Sequence, residues 1–125
     1  MGDRRNVIVE ADGKTAVAFY THNAGSELQE VVAAALARGR GRWSDSDYLS
    51  RIIFSEMIQD NVMGDSGFGI TPITHGSTDY CEASPGYDLV VNVKDQTVYD
   101  GDEASPSTFS FEAFVSAYHS EKVSI

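Results

Sequence analysis

The residues best suited to chemistry lie in the segment 38–43, which reads RGRGRW. Its three guanidinium groups could hold phosphates in bidentate pairs, and the indole of Trp43 could stack on a nucleobase. Tyr20 and His22, at the end of a predicted strand, would extend such a site if their loop lies beside it. The candidate ligand-binding residues are therefore Arg38, Arg40, Arg42, Trp43, Tyr20 and His22.

A purely structural explanation accounts for the same segment. Gly39 stands where a helix would end, and Arg38 would lie near the negative end of the helix dipole. Trp43 would then pack into the core and close a pair of helices. Because these features are routine at helix ends, the sequence favours the structural explanation over the ligand site.

Two other constellations are weaker. Residues 64–67, GDSG, are similar to the sequence around the nucleophile of chymotrypsin-like serine proteases, but glycine, aspartate and serine are also the usual residues of a turn. His75, Asp79 and Cys81 lie close together but lack the second ligand pair that zinc sites usually show. We therefore expect no catalytic residues, no metal site and no cofactor.

The distribution of charge is uneven along the chain. The net charge is −10; residues 1–55 contain seven acidic and seven basic residues, whereas residues 56–125 contain twelve acidic residues and two lysines. Such a field attracts basic proteins and repels nucleic acid and anionic membranes, although solubility alone would also explain it. The acidic binding surface predicted from this excess consists of Asp79, Glu82, Asp88, Asp95, Asp100, Asp102 and Glu103.

Composition fits one globular domain over residues 1–125. The hydrophobic fraction of 42% is ordinary for a folded protein, and one cysteine excludes an intrachain disulfide. No apolar stretch is long enough for a signal peptide or a membrane span. These properties predict a cytoplasmic protein.

Periodicity predicts the order ββ, αα, β, ββ, α. The first hairpin pairs strands over 6–11 and 15–21 around an Asp-Gly turn. Ser26 should cap a helix that ends at Gly39, and Ser44 or Asp45 should cap a second helix that runs to about Asp60.

A short strand is expected over 68–73, a second hairpin over 89–93 and 97–99, and a helix from near Ser110. Two hairpins and a helical pair predict an α+β fold of two layers. In it an antiparallel sheet, made of two hairpins and the short strand, is covered by the central helical hairpin and the C-terminal helix.

Segments 35–43 (ALARGRGRW) and 48–58 (YLSRIIFSEMI), with FGI at 68–70 and the hairpin over 90–98, resemble a family of small uncharacterised proteins of phages, prophages and plasmids in GC-rich bacteria. The similarity extends over most of the chain, and the helical pair carries most of its specificity. The resemblance implies an accessory protein of a mobile element that acts in a bacterial cytoplasm. It implies no particular activity and no catalytic residue.

The leading functional hypothesis is a non-enzymatic inhibitor that covers a basic surface of a host defence or nucleic-acid-handling protein with its own acidic surface. The alternative is a small-molecule binder that sequesters a nucleotide defence signal through the 38–43 segment. An enzyme is disfavoured because no nucleophile–base pair or metal constellation can be assembled. The expected partner is a basic host protein rather than nucleic acid or a membrane, and self-association is plausible if the C-terminal helix is poorly covered.

Overall fold

A computed structural model describes residues 4–11, 15–22, 25–74, 88–101 and 106–119. Three α-helices pack against a sheet of six strands. The strands are β1 Arg5–Glu10, β2 Thr15–Thr21, β3 Phe68–Thr74, β4 Asp88–Asn92, β5 Thr97–Asp100 and β6 Ser107–Ser110; the helices are α1 Leu28–Arg38, α2 Ser46–Met57 and α3 Phe111–Tyr118, with short 3₁₀ turns at Gly25–Glu27 and Arg40–Arg42.

The predicted α+β fold of two layers is confirmed. The strand order is β3-β2-β1-β4-β5-β6, and each neighbouring pair is antiparallel except β1 and β4, which run parallel with Asn6 opposite Asp88. The sheet is therefore mixed rather than wholly antiparallel. Local turns specify each hairpin, but nothing local specifies how two distant hairpins join.

No element was predicted for residues 107–109, which belong to β6 in the structure. The four residues of β6, STFS, pair with β5 and lead directly into α3. The start of that helix was predicted correctly: the Ser110 hydroxyl accepts a hydrogen bond from the Ala113 amide at 3.0 Å. Strand pairing rather than intrinsic preference therefore defines this short segment.

One face of the sheet packs against all three helices. Alternate residues of each strand point to that face, as the two-residue period of a strand requires. The buried core contains Val7, Val9, Phe19, Leu89, Val91 and Val98 from the sheet, Leu28, Val32, Ala35 and Leu36 from α1, Leu49, Ile53 and Met57 from α2, and Phe111, Phe114 and Val115 from α3.

Two helix ends differ from expectation. Ser26 does not cap α1; it lies inside a 3₁₀ turn, and Glu27 occupies the cap position without a side-chain hydrogen bond to the helix. Gly39 has φ −96°, so the left-handed conformation does not explain the glycine. A Cβ there would lie 3.1 Å from Ala35 O and 3.1 Å from Ile52 Cδ1. Glycine is therefore favoured, because a Cβ would have tight contacts with α1 and α2 at this point.

The second helix begins as predicted. Asp45 accepts a hydrogen bond from the Tyr48 amide at 3.3 Å and caps α2. Within the described ranges, no helix combines the length and the apolar composition that crossing a bilayer requires.

The strand register defines two ends of the sheet. The Arg5 end contains Arg5, Thr21, Phe68, Asp88 and Asp100, and the Glu10 end contains Glu10, Asn92, Thr97 and Ser110. α1 begins at the Arg5 end, where β2 ends, and runs toward the Glu10 end. This direction places the segment 38–43 near Phe111. The Phe111 amide donates a hydrogen bond to Gln96 O in the β4–β5 turn.

Candidate functional site

The arginine turn, residues 38–43, is electrically compensated. Each of its arginines lies near a carboxylate, and two of the acids come from the acidic second half of the sequence. The pairs are Arg38 with Glu56 at 3.0 Å, Arg40 with Glu112 at 2.6 Å and Arg42 with Asp45 at 3.6 Å. The turn is therefore not the free cluster of positive charge that a phosphate site would offer.

The indole of Trp43 is also engaged. Its Nε1 donates a hydrogen bond to Leu36 O at 2.9 Å, and its ring meets Phe111 edge-on with centroids 5.2 Å apart. The guanidinium of Arg40 lies over the ring, 4.8 Å from the centroid. Stacking on a nucleobase would have to displace Arg40, so the arrangement fits the structural explanation better.

Tyr20 and His22 do not meet the arginine turn. They lie at the Arg5 end, whereas the turn lies near the Glu10 end. Phe19 packs on Phe54 of α2, so the Tyr20 side chain points to the opposite face of the sheet. The Tyr20 hydroxyl instead lies 3.1 Å from His22 Nδ1. The condition under which Tyr20 and His22 would extend the site is not met, because the length of α1 separates them from the turn.

The residues of the predicted acidic surface differ in where the structure places them. Asp79, Glu82, Asp102 and Glu103 lie outside the described residues, as do His75 and Cys81. Asp95 is exposed in the β4–β5 turn, where it accepts a hydrogen bond from the Asn92 side chain at 3.3 Å. The expectation that Asp88 and Asp100 are exposed is wrong: their residues are 7% and 3% exposed.

These two aspartates belong to a buried polar cluster at the Arg5 end. Arg5 is fully buried, and its Nη2 lies 2.6 Å from Asp100 Oδ1. Gln29 donates to the other carboxylate oxygen of Asp100 at 3.4 Å, and Asn6 donates to Asp88 Oδ1 at 3.3 Å. Burial of a charge is tolerated here because an opposite charge and amide donors surround it.

The cluster ties distant parts of the chain together. Arg5 and Asp100 are 95 residues apart, and Asn6 and Asp88 are 82 apart. Such pairs add little net stability compared with apolar packing, but a wrong partner would leave a buried charge uncompensated. The cluster therefore favours one arrangement of β1, β4 and β5. A positive residue followed by a polar one at the start of an apolar strand was the only sequence signal for it.

Exposed carboxylates lie in two segments of the chain that adjoin the end of β2. The 3₁₀ turn Gly25–Glu27 follows this strand, and the loop 58–67 returns to it, because the His22 amide donates to Gly67 O at 2.9 Å. We call the exposed acidic residues of these segments and of the first turn of α1 the acidic end: Glu27, Glu30, Asp60 and Asp65.

No group of three or more His, Cys, Asp or Glu side chains among the described residues is placed to hold a metal ion. No family model, no curated protein and no solved structure matches the chain. Its function is therefore inferred from its own residues.

Proposed function

We propose that this chain is a non-enzymatic accessory protein of a phage or another mobile element. It acts in the bacterial cytoplasm by binding a basic surface of a host defence or nucleic-acid-handling protein and blocking that surface. The resemblance of the helical pair to small mobile-element proteins supports the biological setting. The charge arrangement supports the mode of binding.

One observation carries the proposal. The arginines at 38, 40 and 42 are each compensated by a carboxylate within 4.0 Å. The residues that would otherwise make a positive surface are thus neutralised locally, and the net charge of −10 is left to acids elsewhere. Four of these acids are exposed in the segments that make up the acidic end. The molecule therefore offers a negative surface to a positive partner.

The physical consequence is selective encounter. Complementary charge raises the association rate and discourages partners of the same sign, while affinity depends on a few well-packed contacts. Exposed carboxylates can take the places that phosphates occupy in a basic groove. A nucleic-acid-handling protein occupied in this way would be inhibited by simple competition.

The test is capture of host proteins by the immobilised chain, quantified by mass spectrometry at about 50 mM and about 500 mM salt. We expect basic host proteins to be retained at low salt and lost at high salt, because screening removes the long-range attraction. Retention that is equal at both salt concentrations would contradict an electrostatic mechanism.

Two matched variants locate the surface. Glu27→Gln with Asp65→Asn removes two charges from the acidic end, and Asp47→Asn with Glu112→Gln removes two exposed charges elsewhere. Both variants change the net charge equally. Only the first should reduce capture, by about tenfold. An equal reduction in both would indicate a general charge effect rather than a binding surface.

A further inference from the structure

A groove lies on the helix side of the sheet, between α2 and the edge strand β3. Its volume is about 310 Å³; Val17, Phe19 and Ile70 form its floor, and Arg51 and Phe54 form its wall. This volume is near the lower limit for ligand pockets in proteins. The groove does not involve the acidic end or the arginine turn.

The groove exposes apolar surface at its open side. Phe19 and Phe54 pack with their ring centroids 4.9 Å apart, and Ile70 is 56% exposed beside them. Covering this aliphatic side chain with a partner would be favourable, because it removes apolar surface from water.

Arg51 differs from the paired arginines of the chain. Arg5, Arg38, Arg40 and Arg42 each lie within 4.0 Å of a carboxylate. Arg51 is exposed, lines the groove and has no such neighbour among the described residues. In a chain of net charge −10, this guanidinium is positioned to receive a carboxylate from outside.

The adjoining strand edge presents backbone groups. The hydrogen bond from His22 N to Gly67 O shows that Gly67 directs its carbonyl toward β2. Because the direction of the backbone groups alternates along a strand, the odd-numbered residues of β3 direct their N–H and C=O groups toward β2. Phe68 and Ile70 therefore direct theirs outward, and no strand of the described residues pairs with that edge. Pro72 is also even-numbered and faces away from β2, so the absence of its N–H removes no hydrogen bond to β2.

We propose that this groove binds an extended segment of a partner protein. The segment pairs with the β3 edge at Phe68 and Ile70, places an apolar side chain over the groove floor and presents a carboxylate to Arg51. An added strand would lie about 4.8 Å from β3, and every second side chain would face α2. Strand addition of this kind gains affinity from the backbone and specificity from alternate side chains.

A peptide fits these features better than the other occupants. The outward backbone groups of β3 can form a regular series of hydrogen bonds only with a partner that has a backbone of its own. A second copy paired through β3 would bring Phe68, Ile70 and Pro72 to the groove side, and none of these carries a carboxylate for Arg51. The proposal uses a surface separate from the acidic end and does not depend on it.

The experiment is selection from a random library of peptides about ten residues long, displayed on phage, against the immobilised full chain. Selected peptides are synthesised, and their affinities are measured by fluorescence anisotropy. We expect alternating apolar residues with an aspartate or glutamate at a fixed position. Arg51→Glu and Ile70→Thr should each weaken binding about tenfold, while both chains keep the wild-type melting temperature because these residues are exposed.

Two control variants match these changes. Lys94→Glu makes the same charge change on an exposed residue of the β4–β5 turn, and Val62→Thr makes an exposed apolar side chain outside the groove polar. Both should bind the peptides as the wild type does. Peptides that bind all variants equally, or a library that yields no acidic–apolar consensus, would overturn the proposal. So would a dimer in native mass spectrometry that Ile70→Thr dissociates, because the occupant would then be a second copy.

Discussion

Replacement of Asp100 by asparagine tests the role of the buried ion pair. Arg5 is fully buried, Asp100 is 3% exposed and the two are joined at 2.6 Å. Asparagine keeps the shape of the side chain but removes the charge that faces Arg5. Loss of one partner from a buried pair costs about 3–5 kcal/mol, a large part of the 5–15 kcal/mol that stabilises an ordinary domain.

The corresponding change in melting temperature follows from the size of the chain. With about 2.1 cal/mol/K of unfolding entropy per residue, the 125 residues give about 260 cal/mol/K. A loss of about 4 kcal/mol then lowers Tm by about 15 °C. Urea unfolding followed by the fluorescence of Trp43, the single tryptophan, measures the same loss as a free energy.

Glu112→Gln provides the matched control. It breaks the pair with Arg40, which has the same separation of 2.6 Å but exposed side chains. An exposed pair is worth about 0–1 kcal/mol, so this variant should unfold almost as the wild type does. If the two variants lose the same small free energy, burial does not strengthen the dependence on Asp100 and the reasoning is wrong. Arg5→Met with Asp100→Leu should be more stable than Asp100→Asn, because it removes the buried guanidinium together with the carboxylate that faces it.

Two further outcomes are expected. Gly39→Ala should lower the unfolding free energy by about 1–3 kcal/mol, because its Cβ would lie 3.1 Å from Ala35 O and from Ile52 Cδ1. Gly41→Ala is the control: a Cβ at Gly41 has no atom within 4 Å, so this variant should have the wild-type free energy in urea unfolding. A cyclic dinucleotide at millimolar concentration should leave Tm unchanged, since the guanidinium groups of the turn are already paired; a rise in Tm that Arg40→Ala abolishes would instead favour the nucleotide-binding hypothesis.

Local patterns were enough to predict most elements of the fold. The two hairpins, the helical pair and the start of α3 at Ser110 depend on neighbouring residues, and each was anticipated. The parallel pairing of β1 with β4 was not, because it joins residues 82 apart and no turn specifies it. β6 was missed because its four residues, STFS, are too few to show a period.

The candidate sites were harder to predict than the elements. The sequence shows the type of a side chain but not what lies opposite it. Asp88 and Asp100 border turn-rich segments, and that position suggested exposure. Their burial depends on Arg5 and Asn6 at the other end of the chain. The charge of the arginine turn also depends on distant residues, because Glu112 reaches Arg40 only after α3 has packed beside α1.

The parallel seam between β1 and β4 has a consequence for biosynthesis. The first hairpin and the helical pair emerge from the ribosome well before β4. The edge of β1 that pairs with β4 therefore stays unpaired while more than half of the chain is synthesised. An unpaired edge rich in valine and isoleucine is prone to join the wrong strand. Closing a sheet across such a long separation is also slow compared with forming a hairpin. Pairing of β1 with β4 is therefore expected to be a late and slow step in the folding of the chain in a cell.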